Sequence, residues 1–366
     1  MTSLPVLWLS GPPGVGKTTV AWELFEQLGR QGLAVGQVDI DQLGMYYGDP
    51  DRYRLKARAL AAVAANFRDA GSQCLVVPGV TDPGGGMEPV PNTELTTCRL
   101  RAEPAGLTRR ITARGGATDV SEALAHAEAV DRAPGAWVDT TGLSVTEVAD
   151  QVLERTGWPD PPAPASHPLR SKPLRQYEDP GEILILCGPA GVGKSAVGWH
   201  VYQQIRNAAF VDLDQISFHR PELGDHFRAA NLAAIWHTFR SAGAGCLVAV
   251  GPIEDPAAYT TALPAATITL CCLDAGREVL LDRVTRRARG DSPAPGLAGD
   301  TLLGQPPHRL REIADRSART VEAMRDIGDL HVRTDHRRPD EIAAEILRRT
   351  AYFRAERPLL PRYKGK

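Results

Sequence analysis

The sequence predicts an α/β chain of two tandem domains, each a mostly parallel sheet with helices on both faces. Three observations predict it. An apolar run leads into the pattern GxxxxGK[ST] twice, as VLWLSGPPGVGKTTVAW at 6–22 and as ILILCGPAGVGKSAVGW at 183–199. Near-continuous apolar stretches of strand length alternate with amphipathic helical patterns, as expected of parallel strands covered on both faces. Five blocks recur in the same order in the two halves, which marks an internal duplication.

In the first half, strands are expected at 6–10, 37–41, 73–79, 96–102 and 136–142. Helices are expected from Lys17 to Gly29, from Arg52 to Asp69, through Leu107 and Ile111, near 119–132, and from Val145 to Arg155. QVDIDQL (37–43) then recurs as FVDLDQI (210–216), and NFRDAGSQCLVVPGVTDP (66–83) as TFRSAGAGCLVAVGPIEDP (238–256). The strand with Cys98 matches the strand with Cys271, and WVDTTGLSVTEVADQVLERT (137–156) matches HVRTDHRRPDEIAAEILRRT (331–350). The domains are therefore placed at 1–156 and 181–353, each a nucleotide-binding module that could fold alone, with a proline-rich semi-rigid linker at 157–180 and a tail at 354–366.

Composition bounds the function classes. The chain has 366 residues, enough for two ordinary domains, and 42 basic against 44 acidic residues. That balance gives no global pull toward nucleic acid or an anionic membrane. Six cysteines (Cys74, Cys98, Cys187, Cys246, Cys271, Cys272) show neither metal-site spacing nor a disulfide framework. They read as small buried hydrophobes in a reducing compartment. No signal-peptide pattern and no apolar run of spanning length occurs, so the expected location is the cytoplasm. His219 and His226, and His331 and His336, lack metal-ligand context.

The repeated motif carries the chemistry. Gly11, Gly14, Val15, Gly16, Lys17, Thr18 and Thr19, and then Gly188, Gly191, Val192, Gly193, Lys194, Ser195 and Ala196, have the composition of a phosphate-binding loop. Glycines let successive backbone N–H groups face one concavity, and the helix N-terminus adds its positive end. Lys17 and Lys194 would reach the β- and γ-phosphates of a nucleotide, and the hydroxyls of Thr18 and Ser195 would ligate Mg²⁺.

In VDID and VDLD the acids alternate with apolar residues, so Asp39 and Asp41 share a face or an end of their strand, as do Asp212 and Asp214. Two carboxylates beside a triphosphate are costly unless a cation or a substrate hydroxyl uses them. Asp39 or Asp212 would then hold a water of the Mg²⁺ shell, and Asp41 or Asp214 would accept the proton of an attacking hydroxyl. Solvated strand-end acids or helix caps are the other reading.

This set, with the strands that end in Gly79 and Gly251, resembles the small P-loop kinases of the shikimate kinase, gluconate kinase and chloramphenicol phosphotransferase group. The resemblance implies that Asp39 and Asp212 lie near Mg²⁺ and that Asp41 and Asp214 contact the acceptor hydroxyl. It further implies that the loops 79–86 and 251–256 help to form the acceptor pocket, and that VDTTG (138–142) lies beside the adenine, where the second half departs to VRTDH (332–336). The Gly-Gly-Gly run of shikimate kinases comes several residues late at Gly84–Gly86 and is missing from the second half, which speaks against shikimate itself.

Arginines complete the set. Arg283, Arg286, Arg287 and Arg289 run from a helix end into a Gly/Pro/Ser loop longer by about 20 residues than its counterpart, as a lid closing guanidinium groups over phosphates would; a solvated basic face is the alternative. The first half has Arg109, Arg110 and Arg114. Arg52, Arg54, Lys56 and Arg58, with Arg220 and Arg228 as rough counterparts, either reach an anionic acceptor or face solvent. The expected function is ATP- and Mg²⁺-dependent transfer of the γ-phosphoryl group to a hydroxyl of a small molecule. The alternatives are an ATP-binding switch and a kinase of nucleosides or polynucleotide ends. The halves are expected to pack on each other.

Overall fold

The computed structural model describes residues 3–46, 48, 52–80, 90–114, 119–131, 135–159, 176–291 and 302–350. The first half runs β1 (Leu4–Ser10), α1 (Lys17–Arg30), β2 (Val35–Gln37), a 3₁₀ turn (Gln42–Gly44), α2 (Arg52–Asp69), β3 (Cys74–Pro78), β4 (Thr93–Arg101), α3 (Pro104–Arg114), α4 (Val120–Asp131), β5 (Ala136–Asp139) and α5 (Val145–Thr156). The second runs β6 (Gly181–Cys187), α6 (Lys194–Tyr202), β7 (Ala208–Asp212), β8 (Phe218–Arg220), α7 (Gly224–Ser241), β9 (Cys246–Val250), α8 (Pro256–Ala262), β10 (Ala266–Asp274), α9 (Arg277–Ala288), α10 (Pro307–Ala323), β11 (Leu330–Arg333) and α11 (Pro339–Arg349).

This is an α/β fold of two mostly parallel sheets flanked by helices. The strand orders are β5-β4-β1-β3-β2-β8 and β11-β10-β6-β9-β7, so the first five strands of one sheet repeat the order of the other. β1 and β6 are central because their apolar runs are buried on both faces, and each delivers its chain to its glycine-rich loop at the C-terminal edge, where ligands bind in such sheets. All six cysteines are unpaired and buried, and burial pushes the thiols of Cys74 and Cys246 up to about 12. No helix among the described residues is long and apolar enough to cross a membrane.

The halves exchange their edges. The strand expected at 37–41 ends at Gln37, although Val38 and Ile40 still donate to the carbonyls of Val76 and Pro78 on the β3 side. On the other side β8 pairs antiparallel with β2, Gln37 opposite Phe218 and Val35 opposite Arg220, and the N–H of Asp39 donates to the carbonyl of Gln215 at 3.2 Å. Reciprocally, the N–H of Phe210 on β7 donates to the carbonyl of Met45 at 3.0 Å. Phe218 packs edge-on to Trp22, with ring centroids 5.0 Å apart, in the core beneath α1, and Met45 packs into the core beneath α6.

A third core lies between the two sheets and draws residues from both halves, with α2 against α7 in its middle. Phe67 of α2 is fully buried there, edge-on to Phe227 of α7 at 4.8 Å and stacked on His219 of β8 at 6.2 Å. Asn66 donates to the Asn231 amide oxygen at 3.0 Å, and the two nitrogens of the His219 ring lie 3.0 Å from the Ser72 hydroxyl and 2.6 Å from the Pro221 carbonyl oxygen.

Residues 160–175 of the expected linker and the expected tail lie outside the described residues. The end of the linker is fastened down: the carbonyl of Asp179 accepts from the Trp236 indole at 3.3 Å, and that of Pro180 from Arg240 at 3.1 Å. Because the middle core belongs to both halves, unfolding is expected as one cooperative transition in urea. Phe67→Ala should lower its free energy by about 3–5 kcal/mol without splitting it; two separate transitions would show that the halves are independent folding units.

Candidate active site

Each phosphate loop is held by the same contacts. Gly16 and Gly193 cap α1 and α6 in the left-handed region, φ 103° and 101°, and supply no side chain to the orphan N–H groups of the first turn. Those donors are thereby left for a ligand oxygen. Lys17 folds back onto the carbonyls of Gly11 and Pro12 at 2.9 and 3.0 Å. Lys194 does the same to Gly188 and Pro189 at 2.8 and 3.0 Å. Burial lowers the pKa of Lys194, and Asp214 and Asp212 oppose the shift.

The acids lie where the strand ends meet the loops. Burial, and then the neighbouring Asp41, pushes the Asp39 carboxyl up to about 7, with Lys17 and Lys56 opposing. Burial, and then Asp214, does the same to Asp212, also to about 7. Ser195 donates its hydroxyl to Asp212 at 3.3 Å, and Asp39 and Asp212 each accept the N–H of the acid two residues on, at 2.8 and 3.1 Å. Ile40 and Leu213, between the acids, pack directly on Gly79 and Gly251. A Cβ at Gly79 would collide with the Ile40 side chain, and one at Gly251 would lie 2.7 Å from the Leu213 Cβ. That packing explains why both strands end in glycine.

Hydroxyl and carboxylate together fit Mg²⁺, which keeps several waters and takes one or two protein oxygens beside substrate phosphates. Groups of three or more His, Cys, Asp or Glu able to hold a metal are absent among the described residues.

The second acids differ between halves, Asp214 being half-buried. Asp41 is exposed and ion-paired with Lys56 at 2.5 Å. Arg228, at the corresponding turn of α7, feels the charge of Asp214 while donating to Asp225 at 2.8 Å and to Glu222 at 3.0 Å. Buried Asp225 also accepts from the N–H groups of Glu254 and Asp255, both at 2.6 Å, and from the Tyr259 hydroxyl at 3.3 Å. It therefore fastens the loop 251–256 to α7. Sequence reasoning missed Asp225, which has no counterpart in the first half to mark it. Of the other cations, Arg54 and Arg58 of α2 are exposed, and Arg220 of β8 pairs with Glu26 of the first half at 2.6 Å. Residues 81–89, including Gly84–Gly86, lie outside the described residues, as does the side chain of Arg52.

The arginines expected over the phosphates divide. Arg283 donates to the carbonyl of Val192 at 3.0 Å and to the hydroxyl and carbonyl of Thr334 at 2.9 and 2.7 Å. It ties the loop backbone to the end of β11 rather than reaching over the concavity. Arg110 makes the same three contacts to Val15 and Thr140, at 3.2, 2.8 and 2.9 Å. Arg287 is half-buried and its charge is felt at Lys194, whereas Arg286 and Arg109 are exposed. The rest of the expected lid, 292–301, and the Arg114 side chain lie outside the described residues. The VRTDH departure is milder in space than in sequence. Thr334 replaces Thr140 contact for contact, and His336, φ 53°, takes the left-handed turn of Gly142, φ 71°.

No family model matches the chain, and comparison with curated proteins gives no match. Solved structures similar to it include the tunicamycin resistance protein of Deinococcus radiodurans, 22% identical, with a TM-score of 0.33 over 42% of this chain and 96% of that one. Shikimate kinase of Acinetobacter baumannii in complex with shikimate is 17% identical, with a TM-score of 0.27 over 49% of this chain and 97% of that one. APS kinase of Mycobacterium tuberculosis in complex with AMPPNP and APS is 20% identical, with a TM-score of 0.29 over 46% and 96%.

Proposed function

We propose that this chain is a cytoplasmic phosphotransferase of two duplicated domains packed as one body, transferring the γ-phosphoryl group of ATP to a hydroxyl of a small molecule. The observation that carries the reading is the pairing, in both halves, of a carboxyl near the loop lysine, raised by burial, with a second acid two residues on whose N–H it accepts. ATP with Mg²⁺ supplies the phosphoryl group and neutralises its charge. Lys17 and Lys194 leave the carbonyls of their own loops for phosphate oxygens, at little cost because one set of acceptors replaces another. Asp39 and Asp212, with Thr18 and Ser195, present oxygens to the metal shell.

Asp41 and Asp214 orient the acceptor hydroxyl and take its proton as the new O–P bond forms. Lys56, paired with Asp41, holds that carboxylate in place. Arg287 adds positive charge where transferred charge develops, while Arg110 and Arg283 hold each loop in its binding shape. Domains at 1–156 and 181–353 each supply one such site.

The test is an ADP-release screen over hydroxyl-bearing metabolites, nucleosides and antibiotics, with wild type beside Lys17→Ala and Lys194→Ala. An acceptor should raise turnover above the ATPase background, and a lysine substitution should abolish the contribution of its own site. Nucleotide binding without acceptor-dependent turnover would replace this reading with an ATP-driven switch. At the active site, Asp41→Asn or Asp214→Asn should lower kcat by about 10²–10⁴-fold and leave the KM for ATP nearly unchanged.

The raised carboxyl of Asp212 generates a stability signature. Its folded-state pKa of about 7 exceeds the ordinary 3.8, so its contribution to stability is full below pH 3.8 and is lost as pH rises through 7. Asp212→Asn should therefore melt above wild type at pH 8 in the absence of nucleotide, with the gap closing toward pH 4. An equal gap at both pH values would contradict the buried, raised carboxyl.

A further inference from the structure

Resting on the reading of Asp212 as a metal-shell residue, we propose that Gln42, carried by the first half, is the positioning residue for Asp212 in the second. β7 is the last strand of its sheet, so alternate N–H groups along it point away from β9. One neighbour in the chain points the other way: Leu213 donates back to Val250 at 2.8 Å. The outward donors at Phe210 and Asp212 are two residues apart, as the pleat of a strand requires, and the first half takes both. The Phe210 N–H goes to the Met45 carbonyl at 3.0 Å, and the Asp212 N–H goes to the Gln42 side-chain oxygen at 3.4 Å. The turn 42–45 thus runs along the free edge of β7 and holds the backbone from which the Asp212 carboxylate projects.

The first site is held in a corresponding way, but by different chemistry. There the Asp39 N–H is taken by the backbone carbonyl of Gln215, which no side-chain substitution removes. The second site uses a side chain of the other half at this position, and that side chain is adjacent in sequence to Asp41. A group that fixes the backbone of a metal-shell carboxylate acts as an outer-shell partner does: it holds the oxygen in place so that the metal meets no reorganisation cost.

The experiment uses the full-length chain with Lys17→Ala, so that Mg²⁺-dependent binding of a fluorescent ATP analogue reports the second loop. Gln42→Met keeps the side-chain volume and removes the acceptor oxygen. It should raise the Mg²⁺ concentration for half-maximal binding by roughly 10-fold, the lower end of what losing an outer-shell partner costs a metal site. The melting temperature without Mg²⁺ should stay with the parent. Gln42→Glu restores an acceptor oxygen at the same reach and should return the midpoint toward the parent value. An unchanged midpoint in Gln42→Met, or equal shifts in Met and Glu variants, would overturn the proposal. So would a parent that binds the analogue without any response to Mg²⁺. Because the readout is binding, an acceptor screen without a hit would sink the phosphotransferase reading and leave this inference standing or falling on the Mg²⁺ midpoint alone.

Discussion

The free edges of the two sheets impose the constraint on which the rest of the structure depends. An edge strand presents unpaired N–H and C=O groups, and a parallel α/β sheet with hydrophobic strands leaves such an edge open to any passing strand. Here the edge beside each DxD segment is covered by the other half: β8 lies along β2, and the turn 42–45 lies along β7. Once that exchange is made, α2 must meet α7, and the apolar faces between the sheets merge into one core. The edge strands are also those that lead into the DxD acids, so the interface that closes the fold lies next to its chemistry.

The site itself concentrates opposite charges in a place that water reaches poorly. Asp39 and Asp212 carry carboxyls raised to about 7 chiefly by burial, and the lysines nearby are held by loop carbonyls. Arrangements of this kind weigh against the stability of the empty protein, and carboxyls perturbed by burial beside a specific charge partner make a functional-site candidate. The supporting shell is rigid by comparison. Arg110 and Arg283 each bridge a loop carbonyl to a threonine at the end of the next strand pair, so the concavity keeps its shape before any ligand arrives.

Equivalent loops serve unequal surroundings. In the first half Lys56 sits directly on Asp41. In the second, Arg228 is engaged by Asp225 and Glu222, and Asp225 in turn grips the loop 251–256. Around Asp214 the second half thus holds a network of charge-assisted hydrogen bonds centred on buried Asp225, whereas among the described residues the exposed Asp41 is held by its ion pair with Lys56, a weaker constraint.

Much of this was legible in the linear sequence, because it depends on neighbours in the chain. The glycine-rich loops, the α/β alternation and the DxD segments follow from turn chemistry and from periodicities of a few residues, and their repetition singled out the acids as candidates. The glycines at 79 and 251 were visible, but their reason, contact with Ile40 and Leu213, was not. What only the tertiary structure decided lies across long separations. Phe218–Arg220 forms a strand because a partner edge more than 150 residues away accepts it. Arg283 serves the loop backbone instead of closing over it because Thr334 is within reach, and Gln42 meets Asp212 because two sheet edges are exchanged. A polar side chain on an exposed turn reads the same in sequence whatever it will touch; only folding supplies the partner that gives it a role.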